Sequence, residues 1–357
     1  MDSFAPIETF TLVKTLETPS HISSLAFGHA GHLFAGSDDG SVRVYDLSSF
    51  KVVRAIRGLG AEVSSIVCFK RPGSELRDAW LGCGKQALSF QLDTPKMIQT
   101  LEDASSIIEL GESAEDILNE LSLNITKSHL AFSTDSGVVG VVDLSTKVVS
   151  RMKTRHESVC GSVKFIPDRS REIVSGGYDT ALLHFDFEQG SVLSSLKMPA
   201  PEAAAGNMAL APPFIMSSSI SSAGLLAAGT ADGRLWIGLG GRKRLSPGTT
   251  KKKRTKQWDG LKQEEALIVK IAEGPVVAMS FDESGVLTVS TLLGMLTRFK
   301  LKIDDEDGSV GLDKTWHQDS RTSIEKVNTL LVDDKRIIVG GLTAKGKGVI
   351  EIWRQSN

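Results

Sequence analysis

A short phrase recurs four times along this chain. In each copy an apolar run leads through small residues to a tight turn, and a second apolar run then ends in aromatic-Asp or a worn version of it. The clear copies are LFAGSDDGSVRVYDL (33–47), LAFSTDSGVVGVVDL (130–144), IVSGGYDTALLHFDF (173–187) and LLAAGTADGRLWIGL (225–239). Self-similarity at such spacing is typical of solenoids, propellers and arrays, so it constrains the architecture before any single residue does.

The phase of this repeat divides the chain into seven units. The equivalents of Asp46 fall at Gln91, Asp143, Asp186, Gly238, Lys300 and Arg354, in steps of 43 to 62 residues. A four-stranded propeller blade takes about 40–45 residues, and more when it carries inserts. An apolar strand opens each unit, at 21–27, 62–69, 117–123, 159–165, 214–220, 275–281 and 326–332. The pattern predicts an all-β, seven-bladed propeller that occupies residues 1–357 as a single domain.

The turns and the chain ends agree with this interpretation. Asp-Gly between two apolar runs is a strong hairpin pattern, and no helix-length pattern separates the strands. Residues 113–121 are compatible with a short helix, although the repeat phase assigns their end to a strand. The run at 9–16 predicts an outer strand that closes the ring, because the last unit has no room for its own fourth strand. Closure would remove exposed strand edges that invite aggregation.

Composition narrows the classes of function. The net charge is −2, which does not favour general binding of polyanions. The three cysteines lie in apolar runs without a Cys-x-x-Cys pattern, so we expect neither a disulfide framework nor a zinc site, but a reducing compartment. We see no signal peptide and no membrane-spanning segment, and we expect no metal or cofactor.

The fourth unit carries a family resemblance. His156 precedes its first strand, Ser175 lies in the second and Asp179 in the following turn, while Phe185-Asp186 stands where the family has Trp-Asp. In these features the chain resembles the WD40 β-propellers, whose blades commonly bury a hydrogen-bonded set of His, Ser or Thr, Asp and Trp. The resemblance implies a partial set here, with Phe185 in place of Trp.

A finer resemblance covers about a third of the chain. Residues 122–179, 217–237 and 325–331 are similar to the WD repeat-containing protein 53 family. That family implies a protein-interaction scaffold and a proposed role as substrate receptor of cullin-4 ubiquitin ligases. Such receptors often carry Trp-Asp-x-Arg at a blade end. This chain has Tyr45-Asp46-Leu47-Ser48 and Val142-Asp143-Leu144-Ser145 instead, without that Arg.

His156, Ser175 and Asp179 also suggest a hydrolase triad. Nucleophilic catalysis requires an accessible hydroxyl and an oxyanion site, which a serine in the middle of a blade strand does not offer. A buried polar set that satisfies its own hydrogen bonds explains the same three residues. We therefore predict a protein that is not an enzyme, and keep a propeller hydrolase as a competing hypothesis.

A basic segment stands out between the fifth and sixth units. The insert at about 240–260 contains eight basic residues and no acid up to Lys256: Arg242, Lys243, Arg244, Lys251, Lys252, Lys253, Arg254 and Lys256. Four interpretations remain open: a bipartite nuclear-import signal, a solvated loop, a contact with RNA or DNA, and a contact with an acidic protein. They predict a location in the nucleus, the cytoplasm or both. A second stretch at about 199–213, rich in Pro and Ala, indicates a flexible loop.

Together these features predict a non-enzymatic scaffold for protein–protein interactions, monomeric within a complex. Its partners would be other proteins, including a cullin-4 ligase adaptor, and the alternative is a nuclear or nucleolar assembly factor that contacts nucleic acid through 242–256. We expect the contact surface on the face where the first strands begin. The candidate residues are Arg57, Arg155, His156, Lys326 and, beside the basic insert, Trp258.

Overall fold

The computed structural model describes residues 8–71, 77–200, 211–240, 258–303, 310–318 and 323–356. Its strands form seven separate sheets that are antiparallel apart from one short parallel pairing. Six sheets have four strands and one has five. In this part of the chain the helical elements are two 3-10 turns, Leu101–Asp103 and Gln263–Glu265. No helix there is long and apolar enough to cross a bilayer.

The strands are numbered along the chain and grouped here into blades 1 to 7. Blade 1 contains β2 (Ile22–Phe27), β3 (His32–Ser37), β4 (Val42–Asp46), β5 (Lys51–Ile56) and β9 (Ile98–Gln99). Blade 2 contains β6 (Val63–Lys70), β7 (Arg77–Cys83), β8 (Gln86–Gln91) and β10 (Ser106–Glu109). Blade 3 contains β11 (Leu118–Leu123), β12 (His129–Thr134), β13 (Val139–Asp143) and β14 (Val149–Arg151). Blade 4 contains β15 (Cys160–Phe165), β16 (Glu172–Gly177), β17 (Ala181–Asp186) and β18 (Ser191–Lys197).

The remaining blades follow the same order. Blade 5 contains β19 (Ile215–Ile220), β20 (Leu226–Thr230), β21 (Arg234–Gly238) and β22 (Ala266–Lys270). Blade 6 contains β23 (Val276–Phe281), β24 (Leu287–Thr291), β25 (Leu296–Ile303) and β26 (Val310–Gln318). Blade 7 contains β27 (Lys326–Val332), β28 (Arg336–Leu342), β29 (Gly348–Gln355) and, from the other end of the chain, β1 (Phe10–Thr18).

The blades form a closed ring around the seven first strands. β2, β6, β11, β15, β19, β23 and β27 contact one another in that order, and β27 contacts β2. Strand β1 completes blade 7 by pairing with β29, from Phe10 opposite Gln355 to Thr18 opposite Gly348. The predicted fold, a seven-bladed propeller closed by an N-terminal strand, is confirmed.

Two local expectations are corrected. The helix considered over 113–121 does not form, because Leu118–Leu123 is the inner strand of blade 3 and packs between β6 and β15. The basic insert lies within blade 5, between its third strand and its outer strand, not between blades 5 and 6. The acidic run 304–308 likewise falls between β25 and β26 of blade 6 in the sequence, and it lies outside the described residues.

The positions that stand in for the Trp of the repeat are core positions in every blade. They lie near the end of the third strand and are almost fully buried: Tyr45, Phe90, Val142, Phe185, Ile237, Phe299 and Trp353. Their side chains belong to hydrophobic clusters, several of which span neighbouring blades. Burial of large apolar side chains contributes about 1.5–3 kcal/mol each, so a variable apolar side chain at this point still supports the blade.

Every first strand carries a register shift that leaves one residue unpaired. The seven unpaired residues are Ser23, Ser64, Asn119, Gly161, Met216, Val277 and Asn328. All of them line the central channel, a cavity of about 380 Å³. A bulge of this kind turns a side chain away from its own ladder.

At four of these bulges the side chain reaches the next blade. Ser23 donates to the Val63 carbonyl at 2.8 Å, and Ser64 donates to the Leu118 carbonyl. The side-chain amide of Asn119 donates to the Cys160 carbonyl at 3.1 Å, and that of Asn328 to the Ile22 carbonyl at 2.8 Å. We call these bonds the inner girdle. Gly161, Met216 and Val277 have no such donor, and at Met216 the adjacent Ser217 donates to the Val276 carbonyl at 2.9 Å.

Candidate partner-binding surface

One face of the ring carries the beginnings of the first strands and the turns between the second and third strands; we call it the turn face. Six blades repeat one hydrogen bond there, in which the residue after the second strand donates its N–H to the carbonyl of the residue before the first strand. The bonds measure 2.8–3.3 Å and join Asp38 to His21, Gly84 to Glu62, Asp135 to Ile117, Tyr178 to Val159, Ala231 to Phe214 and Leu292 to Pro275. In blade 7 the equivalent residues, Lys326 and Leu342, face each other in the ladder. This bond places equivalent positions around the mouth of the channel.

These fourteen residues form a rim, and all of them except Gly84, which has no side chain, belong to one of two unlike arcs. Charged and polar side chains occupy blade 7 and blades 1 to 3: Lys326, His21, Asp38, Glu62 and Asp135. Apolar and aromatic side chains continue from blade 3 to blade 7: Ile117, Val159, Tyr178, Phe214, Ala231, Pro275, Leu292 and Leu342. The rim is therefore acidic on one side of the mouth and apolar on the other.

The carboxylates of the acidic arc influence one another. Partial burial and then the neighbouring carboxylate of Asp38 raise the pKa of Glu62 above its ordinary value; His21 opposes this rise, and Asp135 adds a smaller increase. His21 lies 3.4 Å from Asp38, and the Asn119 amide donates to Asp135 at 3.0 Å. No ion pair of Glu62 occurs among the described residues. This arc thus holds more negative charge than its own cations balance.

The apolar arc is accessible at several points. The rings of Tyr178 and Phe214 stack with centroids 6.0 Å apart and planes 20° apart, and both side chains are partly exposed. Leu293, in the turn beside Leu292, is 72% exposed, and Ile117 is 37% exposed. Large apolar side chains that are grouped on a surface mark interaction sites more often than scattered ones do.

The structure separates the five predicted contact residues into two groups. Arg57, Arg155 and Lys326 are exposed on the turn face, and Arg155 pairs with Glu112 at 3.1 Å. His156 and Trp258 are 1% and 4% exposed, so they cannot contribute their side chains to a contact surface as folded. The Trp258 indole N–H donates to the Gly224 carbonyl at 3.0 Å, and the ring packs edge-on against His184. For these two residues the prediction is corrected, since each side chain is buried in the packing of the blades.

The predicted polar set of blade 4 is present. Nδ1 of His156 lies 2.9 Å from a carboxylate oxygen of Asp179, and its Nε2 lies 2.8 Å from the hydroxyl of Ser175. Burial opposes ionisation of Asp179, but the hydrogen bond and the charge of His156 outweigh it and lower the pKa of that carboxyl. Ser175 is 1% exposed, so a substrate cannot reach its hydroxyl. The arrangement stabilises the blade, and nothing in it shows catalytic activity.

Two further predictions fall outside the described residues. All eight basic residues of the insert (Arg242 to Lys256) lie there, as does most of the 199–213 loop. Within the described ranges no cluster of three or more His, Cys, Asp or Glu side chains could hold a metal ion.

The acidic and apolar arcs were not identified from the sequence. Their positions were available from the repeat: in six blades each rim residue directly precedes the first strand or follows the second, and in blade 7 Lys326 begins the first strand and Leu342 ends the second. If these two positions had been compared across the seven units, Asp38, Glu62 and Asp135 would have stood out from Tyr178 and Phe214. Their arrangement around one mouth depends on the closed ring.

Comparisons with known proteins agree with this architecture. A sequence profile described as "WD domain, G-beta repeat" matches residues 10–46, which span β1 and the first three strands of blade 1. WD repeat-containing protein 53 homolog from Dictyostelium discoideum is 27% identical over 206 residues. The match covers 53% of this chain and 53% of that relative, so it spans about half of its length. The chain folds as a seven-bladed β-propeller, matches the WD-repeat profile over residues 10–46, and is similar over about half its length to WD repeat-containing protein 53 homolog.

Proposed function

We propose that this propeller is a non-enzymatic scaffold that binds partner proteins through the rim of its turn face. The observation that carries the proposal is the division of the rim into an acidic arc and an apolar arc. WD40 propellers generally bind other proteins, and a rigid ring holds such loops in fixed positions.

The two arcs define the chemistry of a fitting partner. A Lys or Arg side chain would lie against Asp38, Glu62 and Asp135, where like charges are already crowded. An adjacent aromatic or aliphatic side chain would cover Tyr178 and Phe214. Complementary charge sets orientation and association rate, whereas buried aromatic contacts carry most of the affinity.

A selection of random displayed peptides on the full chain tests this surface. We expect the recovered peptides to combine a basic residue with a neighbouring aromatic or aliphatic one. Glu62→Gln and Leu293→Ala should each weaken their binding, with a loss of about tenfold for a central contact.

The matched control is Ile125→Ala, because Ile125 is 78% exposed in the turn after the first strand of blade 3, on the opposite face. Peptides that bind all three variants like the wild type would contradict the proposed surface. Thermal unfolding of each variant separates a lost contact from a lost fold.

A finer proposal is a substrate receptor of a cullin-4 ubiquitin ligase, with the rim binding the substrate. It is supported by the resemblance to WD repeat-containing protein 53 homolog. Ser48, at the position of the Arg in Trp-Asp-x-Arg, donates its N–H and its hydroxyl to Asp46 at 2.9 and 2.8 Å and so closes its own turn. Recovery of the cullin-4 adaptor with the affinity-purified chain would support this role, and repeated absence of the adaptor would count against it.

The alternative is a nuclear or nucleolar assembly factor that contacts nucleic acid through 242–256. The eight basic residues without an acid support it, and they support a nuclear location for at least part of the protein. Phosphate binding by Lys and Arg releases counterions, so affinity for RNA should fall with salt. Deletion of 242–256 should flatten that salt dependence, and an unchanged slope would contradict the assembly-factor proposal.

A further inference from the structure

The boundary between blades 6 and 7, here the 6–7 seam, differs from the seams that the inner girdle holds. The unpaired residue of β23 is Val277, which cannot donate to the next blade. Among the described residues no side-chain hydrogen bond joins β23 to β27. A backbone bond from the Val327 N–H to the Leu292 carbonyl, at 2.8 Å, joins the two blades near the mouth, and the side-chain hydrogen bonds of this seam lie farther from the channel.

Arg298 of blade 6 lies at the outer part of that seam. Its side chain is only 3% exposed, and it donates to Asp282 at 2.7 Å and to Thr288 at 3.2 Å within its own blade. Its Nε also donates to Glu8 at 2.8 Å, in the segment just before β1. Hydrogen bonds between ionised groups are about twice as strong as neutral ones, and partial burial limits their screening by salt. The guanidinium thus fastens blade 6 to the closing strand.

Aromatic rings surround this ionic contact. The guanidinium of Arg298 lies 5.0 Å from the centroid of the Phe10 ring. Phe10 packs against Trp316 of blade 6 with centroids 5.2 Å apart, and Trp316 meets Trp353 of blade 7 edge-on at 5.9 Å. Glu8 and Phe10, two residues apart in the chain, therefore both cover the outer part of this seam.

The closing strand has a natural break just after this contact. The ladder with β29 shifts register between Leu12 and Lys14, and both Leu12 and Val13 are 42% exposed. The half from Lys14 to Thr18 pairs with Ile352 to Gly348, whereas the half from Phe10 to Leu12 pairs with Gln355 to Trp353. The two halves can open separately because the ladder is already interrupted between them.

We infer that residues 8–12 form a latch that closes the outer part of the 6–7 seam by inserting Glu8 and Phe10 beside Arg298. Release of the latch leaves Arg298 paired with Asp282, so the blade that holds it stays folded. Release also uncovers Trp316, Trp353 and the edge of β29. The latch is a conformational element of the ring, separate from the proposed binding surface on the turn face.

Hydrogen exchange of the full chain, followed by mass spectrometry, tests the latch. Glu8→Gln should accelerate exchange in residues 10–12 and 353–355 by about tenfold, the effect of losing one charge-assisted hydrogen bond. Phe10→Ala should accelerate the same amides further. Exchange in 14–18, in 348–352 and in blades 2 to 4 should not change.

The matched control is Glu17→Gln, because Glu17 lies in the other half of β1 and its pair with Lys347 is exposed, at 3.9 Å. This control should leave residues 10–12 protected as in the wild type. Unchanged exchange at 10–12 in Glu8→Gln would overturn the latch. Equal acceleration across both halves of β1 in Glu8→Gln would also overturn it, since the strand would then open as one unit.

Discussion

The seam between blades 3 and 4 and the seam between blades 6 and 7 are equivalent in the repeat but are held by different contacts. At the first, Asn119 and Glu120 of the inner strand reach blade 4: the Asn119 amide donates to the Cys160 carbonyl, and the Val163 N–H donates to Glu120 at 2.8 Å. At the second, the inner position is Val277, and the side-chain hydrogen bond is that of Arg298 with Glu8, farther from the axis. Equivalent interfaces in a closed ring can thus be closed from the channel or from the outer strands.

The difference follows from what the repeat requires. Each inner strand needs an apolar side chain on the core side and a bulge beside the channel, but the bulge residue itself faces the cavity. Its chemistry is therefore free to vary if another contact holds the seam. Substitutions that each affect a single seam can therefore show how much the inner and the outer contacts contribute to stability.

The largest effect is expected for Arg298→Met. This change leaves the carboxylates of Asp282 and Glu8 without their cation, and removing one partner of a buried pair costs about 3–5 kcal/mol. Urea unfolding of the full chain measures the loss. Arg155→Met is the control, because Arg155 is 59% exposed and its pair with Glu112 should contribute less than about 1 kcal/mol. Equal losses in the two variants would show that the outer contact does not hold its seam.

Asn119→Ala should produce the next largest loss. It removes the donor to the Cys160 carbonyl and the donor to Asp135, each worth about 0.5–1.5 kcal/mol. Val277→Ala at the equivalent position of blade 6 has no hydrogen bond to lose and should destabilise less. Unfolding free energies in urea compare the two. A larger loss for Val277→Ala would reverse the proposed distinction between the seams.

The seam between blades 4 and 5 should respond to pH, because Glu172 pairs with His184 of its own blade and His184 packs against Trp258 of blade 5. Burial opposes ionisation of Glu172, but its hydrogen bond to His184 at 3.0 Å and the charges of His184 and Arg169 lower the pKa of that carboxyl. Its contribution is therefore present above the ordinary value of 4.5 and is lost as the pH falls through the lower folded value.

In Glu172→Gln the free energy of unfolding should decrease less steeply as the pH falls below that value. Unfolding measured at several pH values between neutral and acid pH tests this. Glu283→Gln, at an exposed turn, is the control and should keep the wild-type slope. If the unfolding free energy of Glu172→Gln depended on pH as steeply as that of the wild type, other groups would be responsible for the loss of stability in acid.

The smallest effects are expected from completing the inner girdle. A Cβ at Gly161 would meet a ring carbon of Tyr178 at 3.4 Å and the Ile215 carbonyl at 3.8 Å, so Gly161→Ser has room and an acceptor. Val277→Asn would by analogy donate to the Val327 carbonyl. Each should stabilise by about 1 kcal/mol. A loss of stability in Gly161→Ser would mean that the added hydroxyl finds no partner.

Most of the fold was predictable because its determinants are local and repeated. The inner strand predicted at 326–332 is Lys326–Val332, and the closing strand predicted at 9–16 runs from Phe10 to Thr18. Local propensity misled only where the ring overrides it, as at Leu118–Leu123, because an inner strand must stay extended to contact both neighbours. The basic insert was assigned to the wrong side of an outer strand, since β22 begins only at Ala266.

The proposed binding surface was less predictable than the fold. The sequence indicated the face and three of its exposed basic residues, and those assignments stay predictions. His156 and Trp258 were placed on the surface from their positions beside strands and the insert. Both side chains are buried in the blades instead. His156 finds two hydrogen-bond partners there, and the indole of Trp258 packs in the core and donates its N–H to a carbonyl. The position of a residue along the sequence does not show whether its side chain points into the core or to the surface.

The sequence by itself determined the number of blades, the phase of their strands and the closing role of the N-terminal strand. Repeat period and alternation are properties of short segments, so they are visible without coordinates. Only the tertiary structure decided which polar groups meet across the seams and around the rim. Glu8 and Arg298 are separated by 290 positions, and Ile22 and Asn328 by 306, so closure of the ring alone brings them into contact.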